Sequence, residues 1–361
     1  IAIWASGFAA GSALGPIVGG VLLEHFAWGS VFLMAVPVLI PLLVLAPILL
    51  PESRNPHPGR IDLLSILLSL ATMVPIVYGI KELAVAGFTP LVGALLAAGM
   101  LFALLFVRRQ LRLEVPMLDM RLFRRGTFTG ALLVNLLSVI ALVGYIFFVA
   151  QHLQLVVGLS PMEASWALVP GLAAMIVAGL IVVPIARRVP ARVLVPSALV
   201  FSVAGYLAIA FGGESLTAVV LSFVVLAVGI GMAETVSNEL ILTTAPPEKA
   251  GAASAVSETA YELGAVLGTA ILGGIITALY RANLVVPEGL PPAAADAARE
   301  TLAGAIHAAD EVGGDLSAQL VAAASHAFDS GVVVTALIGA GLVVLAGVIA
   351  AASLGESRSK P

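Results

Sequence analysis

Long apolar stretches follow one another along nearly the whole chain, separated by short polar segments. Each is about 20 residues long, the length that an α-helix needs to cross the hydrocarbon core of a bilayer. Hydropathy over a window of about 19 residues predicts ten such helices. They lie near 3–23, 28–50, 62–83, 88–107, 127–150, 164–186, 191–212, 215–243, 251–280 and 330–353. The pattern therefore predicts an all-α, polytopic membrane protein.

The segment 282–328 departs from this pattern. It is rich in alanine, and charged residues are interspersed through it. The spacing predicts two short amphipathic helices, at 292–309 and 315–328, separated at Gly313-Gly314. The segment is either a solvated cap or hairpin over one mouth of the protein or a plain connecting loop, and the sequence favours neither.

Composition supports a membrane protein and removes several other classes. Hydrophobic residues make up 60% of the chain and charged residues 11%, whereas a soluble domain has about 45–50% apolar and about 25% charged residues. The chain has no cysteine, so disulfides, thiolate metal sites and cysteine nucleophiles are excluded. The five histidines show no metal-ligand spacing such as HExxH, and no basic arm suggests nucleic-acid binding. We therefore expect no metal, no cofactor and no nucleic-acid partner.

The basic residues are distributed unevenly between the predicted loops. If the first helix runs outward, fourteen of the 17 lysine and arginine residues lie in cytoplasmic loops, and the opposite orientation inverts that ratio. Because cytoplasmic loops carry an excess of Lys and Arg, the first orientation is favoured. It predicts a multi-pass protein of the cytoplasmic (inner) membrane with a cytoplasmic C-terminus. The chain starts at Ile1 inside an apolar stretch without a charged leader, so we expect an N-terminally truncated sequence.

The first predicted helix carries a stripe of glycines at four-residue spacing. The stripe consists of Gly7, Gly11, Gly15 and Gly19. Another helix can approach such a stripe closely. Pro16 removes a backbone hydrogen bond within the stripe, and Gly20 extends it, so the segment predicts a tight helix contact that can kink. A packing motif with no role in transport is the alternative.

The longer pattern GxxxGPxxGG, formed by Gly11, Gly15, Pro16, Gly19 and Gly20, resembles the antiporter motif of major facilitator superfamily drug:proton exporters. As in that family, a tryptophan, Trp28, precedes the next helix, although Gly29 stands where the family usually has a basic residue. A second similarity is to the late helices of the fourteen-span branch, which includes Qac-type multidrug exporters. It runs through 238–243, 245–251 and 257–264.

The resemblance implies that the ten predicted helices correspond to the fifth to fourteenth of that branch. It also implies a division of the chain. Residues 1–50 would be the last two helices of the N-terminal bundle, 51–126 two linker helices with basic cytoplasmic loops, 127–281 the C-terminal bundle, 282–328 an extracytoplasmic loop or hairpin, and 329–361 the last helix and a cytoplasmic tail. The implied function is proton-coupled export of lipophilic or cationic drugs by alternating access. We expect a monomer, driven by the proton gradient, whose partners are the bilayer, protons and a lipophilic cation.

Four glutamates fall within the predicted helices, namely Glu234, Glu239, Glu258 and Glu262. A charge at the bilayer centre costs about 2.5–3.5 kcal/mol on insertion scales, so each needs a partner, a water-filled cavity or a proton. Glu258 and Glu262 share a helix face, and Glu234 and Glu262 both fall about 18 Å from the loop between their helices. Such carboxyls can exchange a proton for a cation. Alternatively, they form hydrogen bonds with neighbouring polar residues and fix helix packing.

Three further residues are candidates for substrate contact. Tyr261 and Trp166 offer aromatic faces on which a lipophilic cation stacks, and Tyr261 adjoins Glu262. Asn135 is a polar residue at membrane depth. The alternatives are packing or lipid contact for the aromatic residues and an interhelical hydrogen bond for Asn135.

Other functions remain open on the sequence. A major facilitator transporter of another small molecule, such as a metabolite, siderophore or lipid, has the same helices. A membrane enzyme such as a lipid-modifying transferase usually exposes His, Asp or Arg clusters at one interface, and the sequence shows none. We therefore expect a transporter rather than an enzyme.

Overall fold

A computed structural model describes Gly11, Gly15 and residues 18–49, 62–113, 116–212, 215–246 and 249–355. Regular structure in these ranges is entirely helical. Nine of the described helices are long and apolar enough to cross a membrane. Most of the first predicted helix, 3–23, lies outside the described residues. Its described end is helical from residue 18, and the helix continues to residue 25. The expectation of an all-α polytopic membrane protein is confirmed.

The helices are α1 (Ser30–Leu49), α2 (Leu63–Ala86), α3 (Pro90–Arg112), α4 (Gly126–Gln151), α5 (Pro161–Ala186), α6 (Ala191–Phe211), α7 (Leu216–Thr244), α8 (Ala250–Asn283), α9 (Pro292–Glu300), α10 (Leu302–Val312) and α11 (Gly314–Ser353). A single π-helical turn, His152–Val156, continues α4. Side chains define several helix starts. Thr89 accepts a hydrogen bond from Val92 N at the start of α3, and Ser160 and Glu163 form a capping box at the start of α5.

Helices α4 to α8 and α11 form a six-helix bundle. Helix α4 packs against α7, α8 and α11, while α7 also packs against α5 and α6. Glycines allow close approach, because a β-carbon added to Gly268 on α8 would lie 2.6 Å from the Ile140 carbonyl oxygen on α4. The centre of the bundle holds an aromatic cluster in which Tyr145 stacks on Phe223 and meets Tyr206 edge to face.

Helices α1 to α3 lie outside this bundle. Helices α2 and α3 form a hairpin, and α2 also contacts α8. Only 11% of the most apolar part of α2 or α3 is buried, and none of that of α1, against 61% for α4. Most of the apolar surface of these three helices is therefore exposed at the surface of the protein.

The segment after α8 differs from the sequence expectation. The first predicted short helix, 292–309, is divided into α9 and α10 at Thr301, whose hydroxyl accepts a hydrogen bond from Gly304 N at 3.0 Å. The second, 315–328, is wrong as a separate helix because it is the beginning of the 40-residue α11. Gly313 and Gly314 have positive φ and separate α10 from α11 as predicted. No proline or glycine lies between Asp315 and the last predicted span, which starts at residue 330, so nothing there breaks the helix.

The bundle has two chemically different ends. At the basic end lie the start of α4 and the loops that join α5 to α6 and α7 to α8. The described basic residues there are Arg121, Arg124, Arg125, Arg187, Arg188, Arg192 and Lys249. The opposite end of the bundle, which carries α9 and α10, is called the hairpin end and is distinct from the α2–α3 hairpin. There Tyr280 OH of α8 donates to the Ala298 carbonyl oxygen of α9 at 2.8 Å.

Candidate binding and coupling site

A bridge of polar side chains fixes the relative positions of α4, α7 and α8. The Ser257 hydroxyl on α8 donates a hydrogen bond to Asn238 Oδ1 on α7 at 3.0 Å. The side-chain amide of Asn135 on α4 donates to Ser257 Oγ at 3.5 Å. Ser257 and Asn135 are 5% and 4% exposed, respectively. Because buried polar groups are held by their partners, the bridge determines which residues of α7 and α8 lie at one level.

One helical turn from this bridge toward the hairpin end, ionisable side chains of α7 and α8 come together. Glu234 precedes Asn238 by four residues, and Tyr261 follows the bridging serine by four. Since the two helices are antiparallel, four residues correspond to about 6 Å in the same direction on each. Glu234 and Tyr261 therefore share a level. Electrostatic interactions connect the Tyr261 hydroxyl with Glu234, Glu258 and Glu262. We call Glu234, Glu258, Tyr261 and Glu262 the carboxyl cluster.

Glu234 is the most enclosed carboxyl of the cluster. Its Oε1 atom is buried and has no hydrogen-bond partner among the described residues. The neighbouring hydroxyl of Thr235 donates to the Gly231 carbonyl oxygen at 2.8 Å, so it is engaged within its own helix. A buried carboxylate that lacks donors is costly. This position therefore suits a carboxyl that is neutralised by a proton or by an arriving cation.

Glu258 and Glu262 lie on the exposed face of α8. That face also includes Gly251, Ala255 and Val266, all of which are exposed. Tyr261, between the two glutamates in sequence, is half-buried. The opposite side of α8 packs against α4 and α11. The cluster thus combines one enclosed carboxyl with two accessible ones around a tyrosine.

Three of the predicted coupling and substrate-contact residues lie outside the cluster, namely Asn135, which belongs to the polar bridge, Glu239 and Trp166. Glu239 is exposed and lies nearer the basic end, and it is not among the carboxyls that interact with Tyr261. Trp166 is 52% exposed on α5, near the hairpin end. A β-carbon added to Gly179 of α5 would lie 2.9 Å from the Thr235 hydroxyl oxygen, which fixes the level of α5 against α7. Trp166 precedes that glycine by thirteen residues, which places it about 20 Å from the cluster along the bundle.

The glycine motif meets the bundle at one point. A β-carbon added to Gly20 would lie 3.0 Å from Ser165 Oγ and 3.1 Å from Met162 Cα, at the start of α5. The same addition at the other described motif glycines meets no described atom within 4 Å; these are Gly11, Gly15 and Gly19. Pro16 lies outside the described residues. The close contact predicted for the motif therefore occurs at its last glycine and at the hairpin end.

The sequence profile of the Major Facilitator Superfamily matches residues 1–269, which is most of the chain. The chain belongs to the major facilitator superfamily. Members of this superfamily are membrane transporters, which agrees with the multi-pass helical architecture described above.

Several relatives within the superfamily are efflux or resistance proteins. The chain is 52% identical to "Multidrug efflux pump LfrA" of Mycolicibacterium smegmatis, over 97% of this chain and 70% of LfrA. It is 32% identical to "Methyl viologen resistance protein SmvA" of Salmonella typhimurium, over 91% of this chain and 67% of SmvA. It is also 32% identical to "Tetracenomycin C resistance and export protein" of Streptomyces glaucescens, over 87% of this chain and 59% of that protein.

Sequence reasoning missed a set of contacts at the basic end of this major facilitator transporter. Lys249, just before α8, forms an ion pair and hydrogen bond with Asp119 in the segment before α4. The Arg125 guanidinium donates to the Thr244 carbonyl oxygen, at the end of α7, at 2.6 Å. We call these four residues the basic-end clasp. The sequence gives no signal for it beyond the charges, because the two segments are more than 100 residues apart in the chain.

The Lys249 ammonium beside Asp119 lowers the pKa of that carboxyl, against the opposing effect of burial. Asp119 is therefore ionised at neutral pH and forms the one ion pair of the clasp, with Lys249. Within the described ranges, no group of three or more His, Asp or Glu side chains is arranged to hold a metal ion.

Proposed function

We propose that this transporter exports lipophilic organic cations in exchange for protons, by alternating access in the cytoplasmic membrane. The carboxyl cluster is the observation that carries the proposal. Its buried carboxyl on α7 and its two accessible carboxyls on α8 provide negative charge for a cation, and Tyr261 offers an aromatic face. The efflux and resistance proteins among the relatives support the same substrate class.

The exchange follows from charge balance. With no cation bound, a proton on the cluster removes one of its negative charges. A bound organic cation supplies a positive charge at the same place, so the proton is no longer needed and leaves. Proton and cation thus compete for one set of carboxyls, which is the requirement for antiport.

Alternating access requires contacts that form at one end of the transporter and break at the other. The contact of Gly20 with the start of α5 is such a contact at the hairpin end, where the absence of a side chain permits the approach. The hairpin end faces outward in the orientation predicted from the basic residues. We propose that the helices correspond to the fifth to fourteenth of a fourteen-span exporter that acts as a monomer with its C-terminus in the cytoplasm.

Ethidium efflux from a susceptible bacterial host tests this function. Cells that express the whole protein should expel ethidium faster than control cells, and a proton uncoupler should abolish the difference. Glu234→Gln and Glu262→Gln should reduce uncoupler-sensitive efflux at least about tenfold, because each removes a charge that the transported cation needs.

Glu163→Gln is the matched control. It makes the same chemical change at an exposed glutamate, and glutamine retains the capping box at the start of α5. Efflux by this variant should equal that of the unchanged protein. Efflux that resists the uncoupler, or that is unaffected by both cluster substitutions in variants expressed at normal levels, contradicts the proposal.

A further inference from the structure

A cavity of about 250 Å³ opens at the hairpin end of the bundle, away from the carboxyl cluster. Four helices enclose it, namely α4, α6, α7 and α11. Its lining is Phe148, Val149, His152, Ile209, Ala210, Phe211, Val219, Asp329, Val332 and Val333. The walls are thus apolar except for one imidazole and one carboxylate. Ligand sites in proteins commonly combine apolar walls with a few polar groups in this way.

The two polar residues of the cavity form a pair. His152 Nδ1 lies 3.0 Å from Asp329 Oδ1. Since a carboxylate can only accept, the imidazole donates through Nδ1. The His152 side chain is 7% exposed, and its Nε2 is buried without a hydrogen-bond partner among the described residues. The imidazole is therefore only half satisfied by the protein.

The backbone at His152 is unusual. The α-helical pattern of α4 ends at Gln151, and His152 begins the π-helical turn, in which Val157 N donates to the His152 carbonyl oxygen at 3.0 Å. Single π-turns occur frequently at functional sites because the extra residue re-aims the side chains around it. His152 itself continues the regular face of α4, because its N–H still bonds to the Phe148 carbonyl oxygen, so it lines the cavity together with Phe148 and Val149, and the π-turn follows directly after it.

Among the described residues, Asp329 is the one acidic side chain that lines the cavity, beside the imidazole of His152. The other ionisable side chains described on the helices around the π-turn are exposed and do not line the cavity. They are Glu163 on α5, His307, Asp310 and Glu311 on α10, and Asp315 and His326 on α11. No described lysine or arginine side chain lines the cavity, so nothing in its wall supplies a fixed positive charge to Asp329.

We propose that this cavity is a second binding site, for a small organic cation with an aromatic or aliphatic body, held between Asp329 and the apolar wall. The positive group pairs with the carboxylate, and the rings of Phe148 and Phe211 face the body of the ligand. A volume of about 250 Å³ accommodates a single-ring ammonium ion. The inference concerns binding alone and does not depend on whether the protein exports anything.

This site is separate from the carboxyl cluster. His152 follows Asn135 of the polar bridge by seventeen residues on α4, which is about 25 Å along the helix, and the cluster lies about 6 Å from the bridge in the same direction. About 19 Å along the bundle therefore separate the two sites. A ligand of one ring cannot span both places. Binding at the two sites can therefore be measured and removed independently.

Binding of benzyltrimethylammonium to the purified protein in lipid nanodiscs tests the proposal. Val333→Trp fills the cavity and Asp329→Asn removes its charge, so both should weaken binding at one site at least about tenfold. Val334→Trp is the matched control, because its side chain is 41% exposed and does not line the cavity. Equal binding by the unchanged protein, Asp329→Asn and Val333→Trp would overturn the inference.

A second measurement uses the unmodified protein and does not depend on how the variants fold. The chain has five histidines, so selective ¹⁵N labelling of histidine gives a simple NMR spectrum in which His152 is assigned from His152→Gln. Added benzyltrimethylammonium should shift the imidazole signals of His152, while neutral neopentylbenzene, which has the same shape, should shift them far less. Unchanged His152 signals at saturating cation, or equal shifts with both compounds, would contradict a cation site here.

Discussion

The six-helix bundle and the helices α1 to α3 have similar hydropathy but are packed in different ways. The most apolar part of α4 has a mean hydropathy of 2.6 and is 61% buried, whereas that of α1 has a mean hydropathy of 2.7 and is not buried at all. Hydropathy therefore identifies the membrane helices in both regions but does not tell which of their surfaces face protein. Glycine contacts and buried hydroxyl groups make that distinction in the bundle.

The α2–α3 hairpin is held together in a different way. The Arg109 guanidinium donates two hydrogen bonds to the carboxylate of Asp62, at 2.8 and 3.2 Å, and Gln110 donates to Ser65 Oγ at 2.6 Å. These polar contacts occupy one end of the hairpin. The guanidinium holds the pKa of the Asp62 carboxyl well below its usual range. The hairpin thus adds a polar cluster at one end to a close glycine contact, since a β-carbon on Gly99 of α3 would lie 2.5 Å from Ile76 Cγ1 of α2.

The largest effect is expected where helix backbones touch in the bundle. Gly268→Val places a β-carbon 2.6 Å from the Ile140 carbonyl oxygen, a backbone atom that cannot rotate away. We expect a loss of about 3 kcal/mol in the free energy of unfolding, measured by thermal or denaturant unfolding in detergent. Gly341→Val on α11 is the control, because a β-carbon there meets no described atom within 4 Å. Equal losses in both variants would show that the close contact of Gly268 with α4 does not contribute specially to the stability of the bundle.

A smaller effect is expected from a buried hydrogen bond in the same region. Tyr206 OH on α6 donates to the Ala141 carbonyl oxygen on α4 at 2.6 Å, and the ring is fully buried. Tyr206→Phe keeps the ring and removes the hydroxyl, so we expect a loss of about 1 kcal/mol in the same unfolding measurement. A variant as stable as the unchanged protein would mean that this hydrogen bond adds nothing to the contact of α6 with α4.

In the hairpin, the expected effect is local. Arg109→Ala leaves Asp62 without its guanidinium partner. The backbone amides at the start of α2 and at the end of α3 should therefore exchange hydrogen several-fold faster. The amides of α4 and α7 should exchange as before. Hydrogen–deuterium exchange with mass spectrometry measures both regions in one sample. Faster exchange throughout α4 and α7 would show that the hairpin and the bundle unfold together.

The smallest effect is expected at the basic-end clasp. The Lys249 side chain is 41% exposed, so Lys249→Met should reduce the free energy of unfolding by no more than about 0.5 kcal/mol. Because the folded pKa of Asp119 is lowered, its contribution is complete above the unfolded pKa of about 3.9 and is lost as the pH falls through the folded value. The difference between the two proteins should therefore be constant from pH 5 to 8 and shrink in acid. A difference that changes near pH 7 would assign it to another group.

Some features of the fold follow directly from the amino-acid sequence. Nine of the ten apolar stretches correspond to helices that the structure describes and that are long and apolar enough to cross a membrane, and Gly313-Gly314 predicted the break before α11. The continuation of α11 through 315–328 was not predicted, because its amphipathic composition changes to an apolar one at Asp329, Ser330 and Gly331, residue types that are common in turns. Composition therefore changed where secondary structure did not. The division at Thr301 depends on a single capping side chain, which is a weak signal.

The candidate site was predictable in part. Glu234, Glu258, Glu262 and Tyr261 were recognised because ionisable residues in apolar helices are conspicuous. Their relation in space depends on the hydrogen bond between Ser257 and Asn238, which periodicity cannot supply. The separation of Trp166 from these residues likewise depends on how α5 packs against α7. His152 and Asp329 lie 177 residues apart in the chain, so only the folded bundle identifies them as a pair.

Proton release during cation binding tests the proposed exchange most directly. The purified protein in nanodiscs is mixed with ethidium in weakly buffered solution near neutral pH, and a pH-sensitive dye records the protons released. We expect about one proton for each ethidium bound, because both compete for the carboxyl cluster. The double variant Glu234→Gln, Glu262→Gln should release none, whereas Glu163→Gln should release as much as the unchanged protein. Ethidium binding without proton release, or equal release from the double variant, would contradict the account.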